Sequence, residues 1–328
     1  MSAAIYPDIF SDLKDQVRQA GLLERVPIRG SIEMIATIIS MILVYIIAYN
    51  WGSITHTNWA AVGLGLFMTI VFTRAVFISH DILHTQYFKS KSLSFKLSYP
   101  FSAIILSNSS SWWDFKHNVN HHTWCNVPEK DEDILALDGA FTSKNKGNKA
   151  WLRSSKYLIF WGAMFFMYPA FIIQSYNFAI KRKKYGELFM MLLHWLIIWG
   201  PIFYLLPFTN AITVFLTLYV ALSGWLAFGF ITNHLGCEVF EKDESESLSW
   251  MELQMRTSRS LSGGAFIHWF YGGLNTQIEH HLFPKAPRFN LLKIKNMTKN
   301  FAQKNDIKYF ETTPITAYVQ INDVVKEY

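Results

Sequence analysis

Charge is scarce in this sequence. Of 328 residues only 16% are Asp, Glu, Lys or Arg, where a soluble globular domain carries about 25%. Hydrophobic residues make up 51%, aromatics 16%, and the mean hydropathy is +0.15. So few charges argue against a soluble enzyme and against a disordered chain. Cysteine is scarcer still. Cys125 and Cys237 are the only two, too few for a disulfide framework and in no Cys-x-x-Cys arrangement. There is no internal repeat and no low-complexity tract. The net charge of +6 and pI near 9.1 do not indicate a nucleic-acid partner. In so apolar a chain they fit the Lys/Arg excess on the cytoplasmic face of an integral membrane protein.

The first thirty residues carry Asp8, Asp12, Asp15 and Glu24 and lack an apolar stretch before a cleavage site, so they do not read as a signal peptide. Phe10, Leu13, Val17 and Ala20 recur at helical spacing, which predicts an amphipathic helix on the membrane surface. Five apolar stretches follow, at about 34–51, 59–79, 157–176, 188–206 and 211–232. Each approaches the roughly 20 residues that cross a bilayer core. The first two are joined without a charged residue, and so are the last two, around Pro207 and Asn210. The third is flanked by Lys149, Arg153 and Lys156 before it and Lys181, Arg182, Lys183 and Lys184 after it. By the positive-inside rule both its ends are cytoplasmic, so it reads as an interfacial helix. A shorter run, Phe101 to Leu106, reads the same way. The expectation is an all-α integral membrane protein with four transmembrane helices in two hairpins. Both termini and segments 80–156 and 233–328 lie in the cytoplasm and form a helical cap. Residues 1–30 are an N-terminal cytoplasmic or interfacial segment, 31–290 the main domain and 291–328 a cytoplasmic tail.

Eight of the eleven histidines fall in four places: His80 and His84; His117, His121 and His122; His234 after Asn233; and His280 and His281. The topology, read from Lys and Arg alone, puts all eight on one side of the membrane. Residues at i and i+4 share a helix face, so His80/His84 and His117/His121 each present two imidazoles together. Adjacent histidines diverge around a helix, so His121/His122 and His280/His281 suit two neighbouring metals better than one. Gln277 shares a face with His280 and His281 and is a candidate weak ligand or hydrogen-bond partner.

Imidazole suits Fe, Zn, Cu or Ni, so residue type does not choose the metal. One catalytic zinc needs about three protein ligands; eight histidines fit two ions, and a redox-active di-iron centre is the natural reading. Metal-bound histidines usually donate their other N–H to a carboxylate or carbonyl, and Asp81, Asp114, Asp131, Asp133, Glu238 and Glu279 are close enough in sequence to accept. Asp81, Asn233 and Glu279 are, like Gln277, candidate weak ligands or partners around the ligands, with Asp81 and Glu279 read as partners before ligands. His56, His194 and His268 read as structural. The acidic run Glu238 to Glu246 reads as a solvated loop. The basic stretch Lys285, Arg288, Lys293, Lys295 and Lys299 reads as a contact for anionic lipid headgroups.

Taken together, His80-Asp81-Ile82-Leu83-His84, the stretch from Trp112 to His122 ending His-Asn-Val-Asn-His-His, and Gln277-Ile278-Glu279-His280-His281 resemble the three histidine boxes of membrane-bound fatty acid desaturases. The resemblance runs from about 31 to 290, and the glutamine opening the third box is similar to the front-end and linoleoyl-type branch. It implies two irons held by the box histidines plus His234, O2 as co-substrate, and a fatty acyl substrate carried by CoA, a carrier protein or a phospholipid. Many front-end members carry a fused cytochrome b5 domain with a His-Pro-Gly-Gly motif, which this sequence lacks. A separate ferredoxin, or cytochrome b5 with a reductase, is therefore the expected electron donor. Two rivals share some of these features: a di-iron hydroxylase on the same scaffold, and a membrane zinc lipid hydrolase with one metal and more crossings.

Overall fold

The computed structural model describes residues 6–51, 57–128, 130–132 and 156–327. Their regular elements are helices apart from two short strands, β1 (Ser260–Leu261) and β2 (Glu311–Thr312), paired in parallel. Four helices are long and apolar enough to cross a membrane: Pro27–Tyr49, Asn58–Leu83, Tyr185–Leu205 and Phe208–His234. At 1.5 Å rise per residue each reaches about 30 Å or more. They coincide with the four crossings read from hydropathy and run beyond them at polar ends. Pro27 starts the first, where a missing N–H costs nothing. The second continues past residue 79 through buried His80 and Asp81. The fourth continues past 232 to His234.

The third apolar stretch is broken. Helices Tyr157–Met164 and Met167–Lys181 meet at 63°. Pro169 explains the break: it has no N–H to donate to the carbonyl of Phe165, and its ring would collide with that carbonyl in a continuous helix.

The chain forms two compact units. One comprises Val26–Asp114 and Gly162–Ala227 and holds most of the long apolar helices. In it, Asn58–Leu83 and Phe208–His234 approach so closely at Gly65 that a Cβ there would lie 2.7 Å from Thr217 Cβ. Asn210 Nδ2 donates to Asn58 Oδ1 at 3.3 Å, so the two hairpin connections lie at the same end of the bundle. The run after Pro100 departs from its sequence reading. It forms a π-helical turn, Pro100–Ile105, with Phe101 and Ala103 buried inside the unit.

The other unit comprises Met1–Arg25, Phe115–Trp161 and Phe228–Tyr328. Its N-terminal helix, Tyr6–Gln19, is amphipathic as the periodicity predicts, but its apolar face is covered by protein. Leu13 and Val17 are buried with Met255, Ile278, Leu282 and Leu291. The apolar stripe found its partner in the helix of the third histidine box and its neighbours rather than in lipid. The basic stretch is also partly internal. Lys295 pairs with Glu311 at 2.8 Å and Lys299 with the same carboxylate at 2.7 Å, while Arg288 is buried.

Candidate metal centre

In the apolar unit, His80 and His84 are buried side by side at the end of helix Asn58–Leu83, their ring centroids 4.5 Å apart. One helical turn separates them, which is why the rings meet. His80 Nδ1–H donates to Asp81 Oδ1 at 3.2 Å, and the Tyr87 hydroxyl donates to the other oxygen of that carboxylate at 3.1 Å.

The second unit gathers the other six. His117 and His121 lie on a π-helical segment, Asp114–His121, continued by His122–Trp124. With i→i+5 bonding a turn holds more than four residues, so positions i+4 and i+5 straddle the face of residue i. Both His121 and His122 therefore stay near His117, at 5.3 and 4.8 Å between ring centroids. The regular-helix geometry assumed from the sequence did not allow for this. His280 and His281 sit on the fully buried helix Gln277–Leu282. It follows a turn in which Gly272 and Gly273 take φ of +58° and +87°, backbone that glycine adopts without strain.

The six rings form one continuous cluster. His121, His234 and His281 lie 4.7 to 4.9 Å apart. His117 and His122 flank His280 at 6.1 and 4.7 Å. The closest approach of all joins His122 to His281, at 4.4 Å between centroids.

Behind the rings stand the groups that orient them. His121 Nδ1–H donates to Asp131 Oδ2 at 2.9 Å, and that oxygen also accepts the backbone N–H of Asn126. His281 Nδ1–H donates to Gln254 Oε1 at 2.5 Å. This leaves His281 Nε2 buried with no hydrogen-bond partner among the described residues. Burial, and then the neighbouring histidines, push the His281 pKa well below its ordinary range. A neutral imidazole with one nitrogen anchored and the other open is the form that binds a metal. His234 Nδ1–H donates to the Thr257 carbonyl at 3.1 Å, so its Nε2 accepts from Gln277 Nε2–H at 2.9 Å. Asn233 donates to Gln277 Oε1 at 3.2 Å. The donor set fits metal ions: imidazole-rich and largely buried, with Nδ1 of His121 and of His281 held by Asp131 and Gln254.

The remaining candidates lie elsewhere. Glu279 accepts from the Ser260 and Tyr309 hydroxyls, and burial raises its pKa. Asp114 pairs with Lys91 and Glu238 with Arg256. His194 has both ring nitrogens engaged, by the Ile104 carbonyl and Trp199 Nε1–H, and His268 bonds Asn275. His56 and Asp133 lie outside the described residues.

Two residues near the centre were missed in the sequence. Gln254 has no motif to mark it. Cys125 did have a signal, since it follows His121 by four positions. Its Sγ lies 3.2 Å from His234 Nδ1, and one potential ligand atom each from His121, Cys125, His234 and His281 falls within 4.8 Å of the others. Burial, then the charge of Asp131, pushes the Cys125 pKa well up, so the thiol is neutral.

Comparison with known proteins agrees with this arrangement. The fatty acid desaturase family model matches residues 57–313. An acyl-lipid (9-3)-desaturase of Physcomitrium patens is 31% identical over 83% of this chain, which spans 54% of that relative. A Delta(5) fatty acid desaturase of Caenorhabditis elegans is 27% identical over 94% of this chain and 71% of its own length. A Delta(8)-fatty-acid desaturase of Borago officinalis is 24% identical over 92% and 70%. With a match across most of its length, four membrane-length helices and a buried histidine cluster, this chain is an integral membrane protein that belongs to the fatty acid desaturase family.

Proposed function

We propose that the protein is a fatty acid desaturase that introduces a cis double bond into a fatty acyl chain, using O2 and two electrons at a di-iron centre. The observation that carries this reading is the gathering of six histidines, five buried and His234 half-buried, into one continuous cluster, on a chain of the desaturase family. His121, His234 and His281 would hold one iron, with His117, His122 and His280 among the ligands of the pair. By ligand count and by resemblance of the first box, His80 and His84 complete the set. Gln277, Asp81, Asn233 and Glu279 surround the ligands.

The irons would supply the O2 activation that removes hydrogen from two adjacent methylenes, whose C–H bonds no acid–base side chain can break. The protein's own residues do the rest. Asp131 and Gln254 fix the tautomers and ring orientations of His121 and His281, and burial of the ligands keeps bulk water from the centre. The acyl group arrives on CoA, a carrier protein or a phospholipid. Electrons come from a ferredoxin, or from cytochrome b5 with its reductase. The histidines and both termini face the cytoplasm.

The test is a gas-chromatographic fatty-acid profile of a host expressing the chain beside a His121→Ala control. A new unsaturated species absent from the control is expected. A hydroxylated species would assign the chain to hydroxylation, and a purified protein with one zinc and no iron would overturn the di-iron reading.

A further inference from the structure

Desaturation at such a centre follows a fixed balance. One acyl –CH2–CH2– unit, O2, two electrons and two protons give –CH=CH– and two waters. The electrons come from the one-electron donor protein; the protons have to reach a buried site from solvent. A polar route stands in the apolar unit. A cavity of about 20 Å3 is lined by Ser79, His80, Ser102, Asn108 and Ser109, the rest of its wall being apolar. The Ser79 and Ser102 hydroxyls bond each other. Asn108 is 9% exposed, and its Oδ1 is buried with no hydrogen-bond partner among the described residues. A cavity needs roughly 10–15 Å3 and two to four polar partners to hold a water, and this one meets both conditions.

On the far side of Ser109 is Glu187, a carboxylate buried at 6% exposure in the first turn of an apolar helix. Ser109 Oγ–H donates to Glu187 Oε2 at 2.5 Å. The Ser111 backbone N–H donates to the same oxygen at 3.1 Å, and the Ser111 hydroxyl donates to Oε1. Ser111 is only half-buried and so connects the carboxylate to the surface. A buried acid is costly to retain for structure alone, since a neutral amide would hold the same hydroxyls.

We propose that the cavity holds one ordered water and that Ser111, Glu187, Ser109 and this water form a proton path to His80. This rests on the desaturase reading. In each transfer a proton entering from solvent at Ser111 passes through the Glu187 carboxylate to Ser109 Oγ as the Ser109 hydroxyl proton moves to the water and onward. The carboxylate ends as it began, held by Ser109 Oγ–H, Ser111 N–H and Ser111 Oγ–H. Two such cycles supply the two protons.

The test compares wild type, Glu187→Gln, Glu187→Asp and Asn108→Leu, each purified in lipid nanodiscs with iron content measured. Glutamine keeps the hydrogen-bond shape and cannot carry the proton. The expected result for Glu187→Gln is unchanged iron and KM, a kcat lower by on the order of 100-fold, a larger solvent deuterium isotope effect, and partial recovery in Glu187→Asp. Asn108→Leu, which fills the cavity, should show the same kcat and isotope signature. A high-resolution cryo-electron microscopy map of the metal-free protein should show a water within reach of Asn108 Oδ1, present in wild type and lost in Asn108→Leu. Full kcat with an unchanged isotope effect in Glu187→Gln, or a cavity without water in wild type, would overturn the proposal. An inactive wild type with no iron would instead overturn the desaturase reading. If Glu187→Gln does not fold, Asn108→Leu and the map decide.

Discussion

His121 and His281 are oriented by residues that share no motif with them. Asp131 takes the Nδ1–H of one and Gln254 that of the other, and losing such a partner typically costs 10- to 100-fold in metal affinity. Asp131→Ala and Gln254→Leu should therefore fold and bind iron weakly, seen as a reduced iron-to-protein ratio after dialysis against a mild chelator. Glu279→Gln should keep its full iron content in the same assay, because that carboxyl is engaged by Ser260 and Tyr309. His268 provides a pH signature away from the ligands. Burial lowers its pKa, so the folded chain binds this proton less readily than the unfolded chain does. The stability it contributes is present above the unfolded value near 6.5 and is lost as pH falls toward the lower folded value. The unfolding temperature in detergent should thus fall between pH 7.5 and 5.5 in wild type, and fall less in His268→Gln.

At the scale of elements, the π-helical segment Asp114–His121 matters most. A π turn is an α-helix with one residue too many, and it occurs often at functional sites. Inserting an alanine after Asn118 would put His121 and His122 five and six residues after His117 and carry His122 off its face. The expected outcome is a chain with unchanged far-ultraviolet circular dichroism and little bound iron. The approach of two long helices at Gly65 is equally specific. A Cβ placed there would meet both Thr217 Cβ and the Val214 carbonyl, so Gly65→Leu should destabilise the protein by about 1–3 kcal/mol, read as a lower unfolding temperature in detergent.

Across the whole molecule the question is sidedness. The two hairpin connections share one end of the bundle, and the long helices Asn58–Leu83 and Phe208–His234 carry His80 and His234 at their opposite ends. In sealed right-side-out vesicles, a cysteine replacing exposed Phe208 should react with an impermeant maleimide. One replacing Lys242 should react only after the membrane is opened. The reverse pattern would invert the proposed orientation.

Hydropathy in the sequence determined the four membrane-length helices, since chain length against bilayer thickness is a property of composition. The histidine spacing was equally legible for His80/His84, because one α-helical turn is a local matter. What only tertiary structure decided was longer-range or conformational. The π geometry that keeps both His121 and His122 near His117 depends on one extra residue accommodated by packing. The covering of Leu13 and Val17 by the third-box helix, the choice of Asp131 over Asp114 and Glu238, and the arrival of Gln254 at His281 depend on segments folded together from distant parts of the chain. No local period encodes which of several carboxylates or amides will meet a given ring; that is set by which backbone surfaces close over one another.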